Sequence, residues 1–218
     1  MYLLCPARNL YGNKVDASSL EIQTHSNHSP ILAEIKQYLR IDNLALILVK
    51  KVPECYIIRK YQEDDREQCR YLWRELVERH REIYQKPTIG GEHPEDYFDK
   101  HLAKVGSDKL WVAVHNSLPV GLVGLIVEGN EAEIEPLIVS KAYRGKGVGK
   151  QLVEAIISES RRMGIRTLSV KPVARNIQSI KFLYKQGFKN LGEIELFMSF
   201  SDYSWKAGPE LFGCKFNF

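Results

Sequence analysis

The stretch that decides the fold runs Glu131-Ala-Glu-Ile-Glu-Pro-Leu-Ile-Val-Ser-Lys-Ala-Tyr-Arg144-Gly-Lys-Gly-Val-Gly149-Lys150. Its first half is a strand-length run ending near Val139, which predicts a strand over 131–139. A basic, glycine-rich turn follows. Residues 147–163 then predict a helix that stops at Gly164 as a C-cap, and 166–171 predict a further strand. Strand, turn, helix and strand make a βαβ unit, which requires a parallel strand pair. Glycines allow backbone N–H groups to converge without Cβ obstruction. The free N–H groups and the dipole of the following helix favour an anion there, and Arg144, Lys146 and Lys150 add formal positive charge. The ligand implied is a phosphate, with a pyrophosphate favoured.

Upstream, residues 55–60 read as a short strand and 64–85 as a long amphipathic helix. The helix places Cys69, Leu72, Trp73, Leu76, Val77 and His80 at i, i+3, i+4, i+7 spacing. A loop over 86–94 carries Gly90-Gly91, and a second helix covers 95–105. The apolar runs 110–115 and 120–127, separated by Asn116-Ser117-Leu118-Pro119, read as a hairpin. Downstream, 176–186 is a helix with Asn176 as N-cap, and 191–200 and 211–218 read as strands. The fold expected is α/β of the α+β type: a mixed, mostly antiparallel central sheet with helices on both faces. Residues 1–52 are uneven in composition and form an extension or small accessory lobe; the main domain is 53–218.

Composition sets outer bounds. Of 218 residues, 44% are apolar and 27% charged, which excludes whole-chain disorder. A net charge of +4 is too small to argue for nucleic acid. The longest apolar runs are too short to span a bilayer, and the start, MYLLCPARN, is a poor signal peptide, so a cytoplasmic protein without membrane partners is expected. Cys5, Cys55, Cys69 and Cys214 are scattered, and His25 and His28 have no further ligands beside them, so no metal site is expected.

Two familiar phosphate loops fail against this turn. A P-loop needs Gly where Arg144 stands and Ser or Thr where Gln151 stands; the dinucleotide fingerprint fails at Lys150 and at Leu152. What fits is R-x-x-G-x-G, from Arg144 to Gly149. Downstream lies Asn176-x-x-Ser179, followed by Gly187-Phe188. The two motifs and the element order over residues 54–200 resemble the GNAT superfamily, the Gcn5-related N-acetyltransferases. The resemblance implies an acyl-CoA N-acyltransferase fold whose fourth and fifth strands splay around pantetheine. Main-chain groups of Leu137 and Val139, with Ile138 between them, would pair with the pantetheine amides. Arg144, Gly145, Lys146, Gly147, Val148, Gly149 and Lys150 would hold the pyrophosphate, and Asn176 would contact the pantetheine arm.

Acetyl transfer to an amine needs a proton acceptor, a polarised thioester carbonyl and a proton for the thiolate. Glu133 and Glu135 lie two residues apart on the fourth strand and are expected on one face, together with Leu137 and Val139. Either glutamate is a candidate base, directly or through water; the competing role is a solvated or lysine-paired carboxylate. In many relatives a tyrosine four residues before the Gly of the G-F pair serves as acid. That position is Leu183 in this chain, and Tyr184, one residue on, is the candidate, with water as the other source of the proton. The resemblance implies that the first helices and their loop border the acceptor, where Tyr84, Glu92, Glu95, Asp96, Tyr97 and Asp99 would suit a cationic amine; the competing role of the acids is to stabilise the helix dipole. The expectation is an acetyl-CoA-dependent N-acetyltransferase, without metal, acting by direct transfer on an amine-bearing small molecule or peptide. A non-catalytic acyl-CoA-binding regulatory module is the alternative, and a nucleotide-binding protein of another type is disfavoured by the failed fingerprints. The aromatic tail 205–218 suits covering an edge strand or a homodimer seam.

Overall fold

The computed structural model describes residues 56–200 and 205–218, all within the compact unit Glu54–Phe218. The N-terminal extension or lobe over 1–52, with His25 and His28, lies outside the described residues. Strand β1 (Ile57–Lys60) leads through a single 3-10 turn (Glu63–Asp65) into helix α1 (Arg66–Tyr84) and then α2 (Asp96–Val105). Strands β2 (Leu110–His115), β3 (Leu118–Glu128) and β4 (Glu131–Val139) follow, then α3 (Val148–Arg162), β5 (Thr167–Val170) and α4 (Ile177–Lys185). The five strands lie in chain order, β1-β2-β3-β4-β5. The first three pairings are antiparallel and β4–β5 is parallel, as the βαβ unit requires.

Local chemistry accounts for the hairpins. Asn116 (φ 48°) and Ser117 (φ 64°) both take the left-handed conformation between β2 and β3, which matches the twist of the flanking strands. The near-continuous apolar runs of β2 and β3 arise because helices cover both faces. On one face Ala113, Val123, Leu125, Ala132 and Ile134 pack against Val148, Leu152 and Ile156 of α3. On the other, Val112, Leu122 and Ile138 pack against Cys69 and Leu72 of α1 and Phe98 of α2.

Two expected strands are corrected. Residues 191–200 form no strand, and Leu196, Phe197, Met198 and Phe200 are exposed, Phe200 at 95%. Alternation supplies an apolar face, but a strand also needs a ladder partner, which local sequence does not specify. Residues 211–218 are not one strand: Phe212 (φ 55°) and Gly213 (φ 74°) turn the chain, giving a separate hairpin of β6 (Ala207–Leu211) and β7 (Cys214–Asn217). Among the described residues no helix is long and apolar enough to cross a membrane.

Candidate active site

The site begins at a bulge. Leu122 and Val123 of β3 face Ile138 and Leu137 of β4, but the next pairing joins Leu125 to Ile134. Glu135 and Pro136 therefore stand opposite the single residue Gly124, a two-against-one β-bulge. Any Cβ on Gly124 would overlap the Glu135 carbonyl oxygen, so glycine alone lets the bulge close against β3. The extra residue also reverses the side-chain alternation. Leu137 and Val139 pack with the α3 layer, alongside Ala132 and Ile134, whereas Glu133 faces the α1 side. The expectation that Glu133 shares a face with Leu137 and Val139 is thereby corrected.

Beyond the bulge the sheet opens. Parallel pairing of β4 with β5 ends at Ile134 opposite Val170. Past that point Glu135–Leu137 and Lys171–Val173 line a cavity of about 650 Å³. Its α1 wall is Trp73, Leu76, Val77 and His80, one helical stripe; Gly90 and Tyr97 adjoin it, and Asn176, Ser179, Phe182 and Leu183 close the α4 side.

Of the expected catalytic residues, Glu133 and Glu135 reach this cavity and Tyr184 does not. Lys171 Nζ donates to Glu133 Oε2 at 2.7 Å, and this bond and charge push the lysine pKa up. Glu135 is exposed on the lining. Behind it His101 of α2 is buried, its Nε2 lacks a hydrogen-bond partner, and its ring lies 5.2 Å from that of Trp73. Burial pushes the His101 pKa down, opposed by the Glu135 carboxylate and carbonyl. Burial likewise lowers the pKa of His80, helped by the Arg79 cation. Tyr184 is 58% exposed with Lys189 over its ring, while Leu183, buried, takes the inward position. The displacement of about 100° per helical residue accounts for this. Asn176 caps α4, its Oδ1 accepting from the Ser179 N–H at 3.2 Å, and lines the cavity.

The glycine-rich turn sits at the end of β4. A 3-10 turn (Lys141–Tyr143) precedes Arg144, and α3 starts at Val148 with no side-chain cap. Gly147 takes φ 92°, and a Cβ there would meet nothing within 4 Å. The first-turn N–H groups of Val148, Gly149 and Lys150 have no intrahelical acceptor, as at any helix start. Arg144 Nε donates to the Val139 carbonyl at 3.0 Å, Lys146 lies over the Tyr143 ring, and Lys150 pairs with Glu154. The turn is not part of the cavity lining.

The expected acidic acceptor surface is largely a helix clamp. Glu95 binds Arg74 at 2.6 Å, Asp96 binds Arg70 at 2.7 Å, and Asp99 is shared by Arg66 and Arg70. The Arg74 hydrogen bond pulls the Glu95 pKa down to about 2. Of that group only Tyr97 lines the cavity; Tyr84 instead carries the Arg175 guanidinium at 5.0 Å. Trp73, His80 and Lys171 were missed as site residues. The first two belong to the apolar stripe of the amphipathic helix, which continues past the buried Cys69 and Leu72 into the cavity.

Residues 60–188 match the family model described as the acetyltransferase (GNAT) family. An uncharacterized N-acetyltransferase of Methanocaldococcus jannaschii is 25% identical over 178 residues, covering 78% of this chain and 76% of that one. Among solved structures, an acetyltransferase of the GNAT family from Staphylococcus aureus superposes with a TM-score of 0.53 at 20% identity, over 68% of this chain and 94% of the other. The PaiA N-acetyltransferase of Thermoplasma acidophilum, in complex with coenzyme A, gives 0.52 at 19% identity, over 75% and 96%.

Proposed function

This chain belongs to the acetyltransferase (GNAT) family, and on that premise we propose that it moves an acetyl group from acetyl-CoA to a primary amine by direct transfer, both substrates being bound together. The observation that carries this is the end of β4–β5 pairing at Ile134 and Val170, where two strand ends part around a cavity. Unpaired backbone at a strand edge suits the amides of pantetheine. The uncapped start of α3, with open space over Gly145 and Gly147, suits the pyrophosphate. The residues present therefore fit acyl-CoA: Leu137, Ile138 and Val139 along the strand, Arg144 to Lys150 at the turn, Asn176 beside the arm. A bound coenzyme A in the Thermoplasma protein supports the same reading.

Glu135, which lines the cavity together with Trp73 and Tyr97, draws a cationic amine into it. Glu133 contributes negative charge but commits Oε2 to Lys171. Direct transfer is favoured because neither Cys69 nor Cys214, the cysteines among the described residues, lines the cavity. Burial also pushes the Cys69 thiol up to about 12, far from a reactive thiolate. Water rather than Tyr184 protonates the departing thiolate, whose free pKa of about 8.5 demands little help.

Calorimetric titration of acetyl-CoA into the wild type and into Gly147→Asp tests the reading. A micromolar affinity abolished by the aspartate, which adds bulk and a negative charge at the turn, is the expected result. A wild type that binds no acetyl-CoA overturns it.

A further inference from the structure

Residues Trp73, Leu76, Val77 and His80 form one stripe of α1, continuing the fully buried pair Cys69 and Leu72 into the cavity. His80 is thus an imidazole held on the cavity wall by its own helix, opposite β4. The two carboxylates across from it are poorly placed to remove a proton: Glu133 holds Lys171, and Glu135 is exposed to water. His101, the other described histidine near Trp73, its ring 5.2 Å from the indole, is not part of the lining.

Resting on the acetyl-transfer reading, we propose that His80 is the catalytic base that takes the proton from the acceptor ammonium. The charged and titratable groups that share the cavity lining with it are Tyr97 of α2, Glu133 and Glu135 of β4 and Lys171 beyond β5; Arg79 adjoins it on α1, and Arg175 lies over the ring of Tyr84, one turn further along the same helix. Arg79 reaches Glu82 at 3.0 Å and Gln178 of α4 at 3.5 Å. Burial and Arg79 keep the His80 ring neutral near pH 7, the form that accepts a proton. The ammonium R–NH3+ gives one proton to the imidazole. The freed amine nitrogen attacks the thioester carbonyl carbon; a C–N bond forms and the C–S bond breaks. The nitrogen's second proton passes through water to the thiolate, giving CoA–SH. The imidazolium returns its proton to solvent, so one proton is released per acetyl transferred.

The test is the pH dependence of kcat/KM with acetyl-CoA and a panel of primary amines: spermidine, glucosamine, glycinamide and a short peptide. The wild type is expected to rise with pH and level off from a point below 6.5, the ordinary histidine value. His80→Gln should keep its affinity for acetyl-CoA and lose about 100-fold in rate near neutrality. Its profile should climb without levelling toward the amine's own pKa, and added imidazole should recover part of the rate in His80→Ala. A His80→Gln enzyme with the wild-type rate and profile overturns this inference while leaving acetyl transfer standing. A wild type that binds no acetyl-CoA overturns both. Should the variants fail to fold, the His80 ring is titrated by NMR in the wild type, and a ring titration that does not coincide with the rise of kcat/KM overturns the assignment.

Discussion

The two ends of β4 obey different rules. From Glu131 to Ile134 the strand is paired on both edges, antiparallel to β3 and parallel to β5. From Leu137 to Val139 it keeps only β3, and at Leu137 it borders the cavity. One bulge separates these regimes. The paired end is a piece of core in which backbone groups satisfy one another. The open end leaves backbone groups and the Glu135 carboxylate available to something that is not protein. A sheet that parts in this way presents a strand edge inside a cavity rather than on the surface, where it would invite aggregation.

The bulge itself is the place to break the comparison. Gly124→Ala forces a methyl into the Glu135 carbonyl, a backbone atom that cannot rotate away. The expected cost is roughly 4 kcal/mol in urea unfolding, at the upper end of overpacking effects. Acetyl-CoA affinity should fall with it, because the strand edge moves. A variant as stable as the wild type would show that the bulge is soft and that the two regimes of β4 are not set by it. Leu125→Ala, on β3 opposite Ile134, probes the paired end away from the cavity lining. Leu125 is fully buried on the α3 side, so about 3 kcal/mol should be lost, while calorimetry should return an unchanged acetyl-CoA affinity. A large loss of affinity would mean that the ends are coupled rather than separate.

Much of this was legible in sequence because it is local. The bounds of β4, the hairpin at Asn116-Ser117 and the glycine-rich start of α3 each follow from a few neighbouring residues. The side-chain faces past Glu135 did not follow, since period-2 counting assumes an unbroken ladder. Pro136, which has no N–H to donate, and Gly124, which has no side chain, are the two marks of a bulge that the sequence carries. Local sequence at 191–200 suits a strand, but no strand forms there because pairing is non-local. The clamp of Arg66, Arg70 and Arg74 on α2 was invisible because its partners meet only in three dimensions. His80 lies on the apolar stripe of α1, and local spacing does not show where that stripe leaves the core and enters the cavity.

Helix α4 offers a sharper and smaller test at the open end. Tyr184 points away from the cavity and Leu183 toward it. Tyr184→Phe should therefore change kcat by less than about 3-fold, whereas loss of a true general acid costs 10²-fold or more. A fall of that size would bring Tyr184 back to the thiolate and require α4 to turn when coenzyme A binds.

The smallest effect is expected where the open end is held by charge alone. Lys171 and Glu133 bridge the parting strands at 2.7 Å, with Lys171 71% and Glu133 22% accessible. The lysine pKa is raised by its partner, so the pair's contribution is present below the unfolded value of about 10.4 and is lost as pH rises through the higher folded value. Exposure and salt screen it, so Lys171→Met should leave the urea midpoint near neutrality where it is. The same substitution frees Glu133 Oε2 inside the cavity, which adds an unpaired carboxylate beside the acceptor. Affinity for a cationic amine should rise, measured as a lower KM at low ionic strength, with stability unmoved. If stability falls instead, the bridge is closing the sheet, and the open end of β4 is less independent of the paired end than its hydrogen bonds indicate.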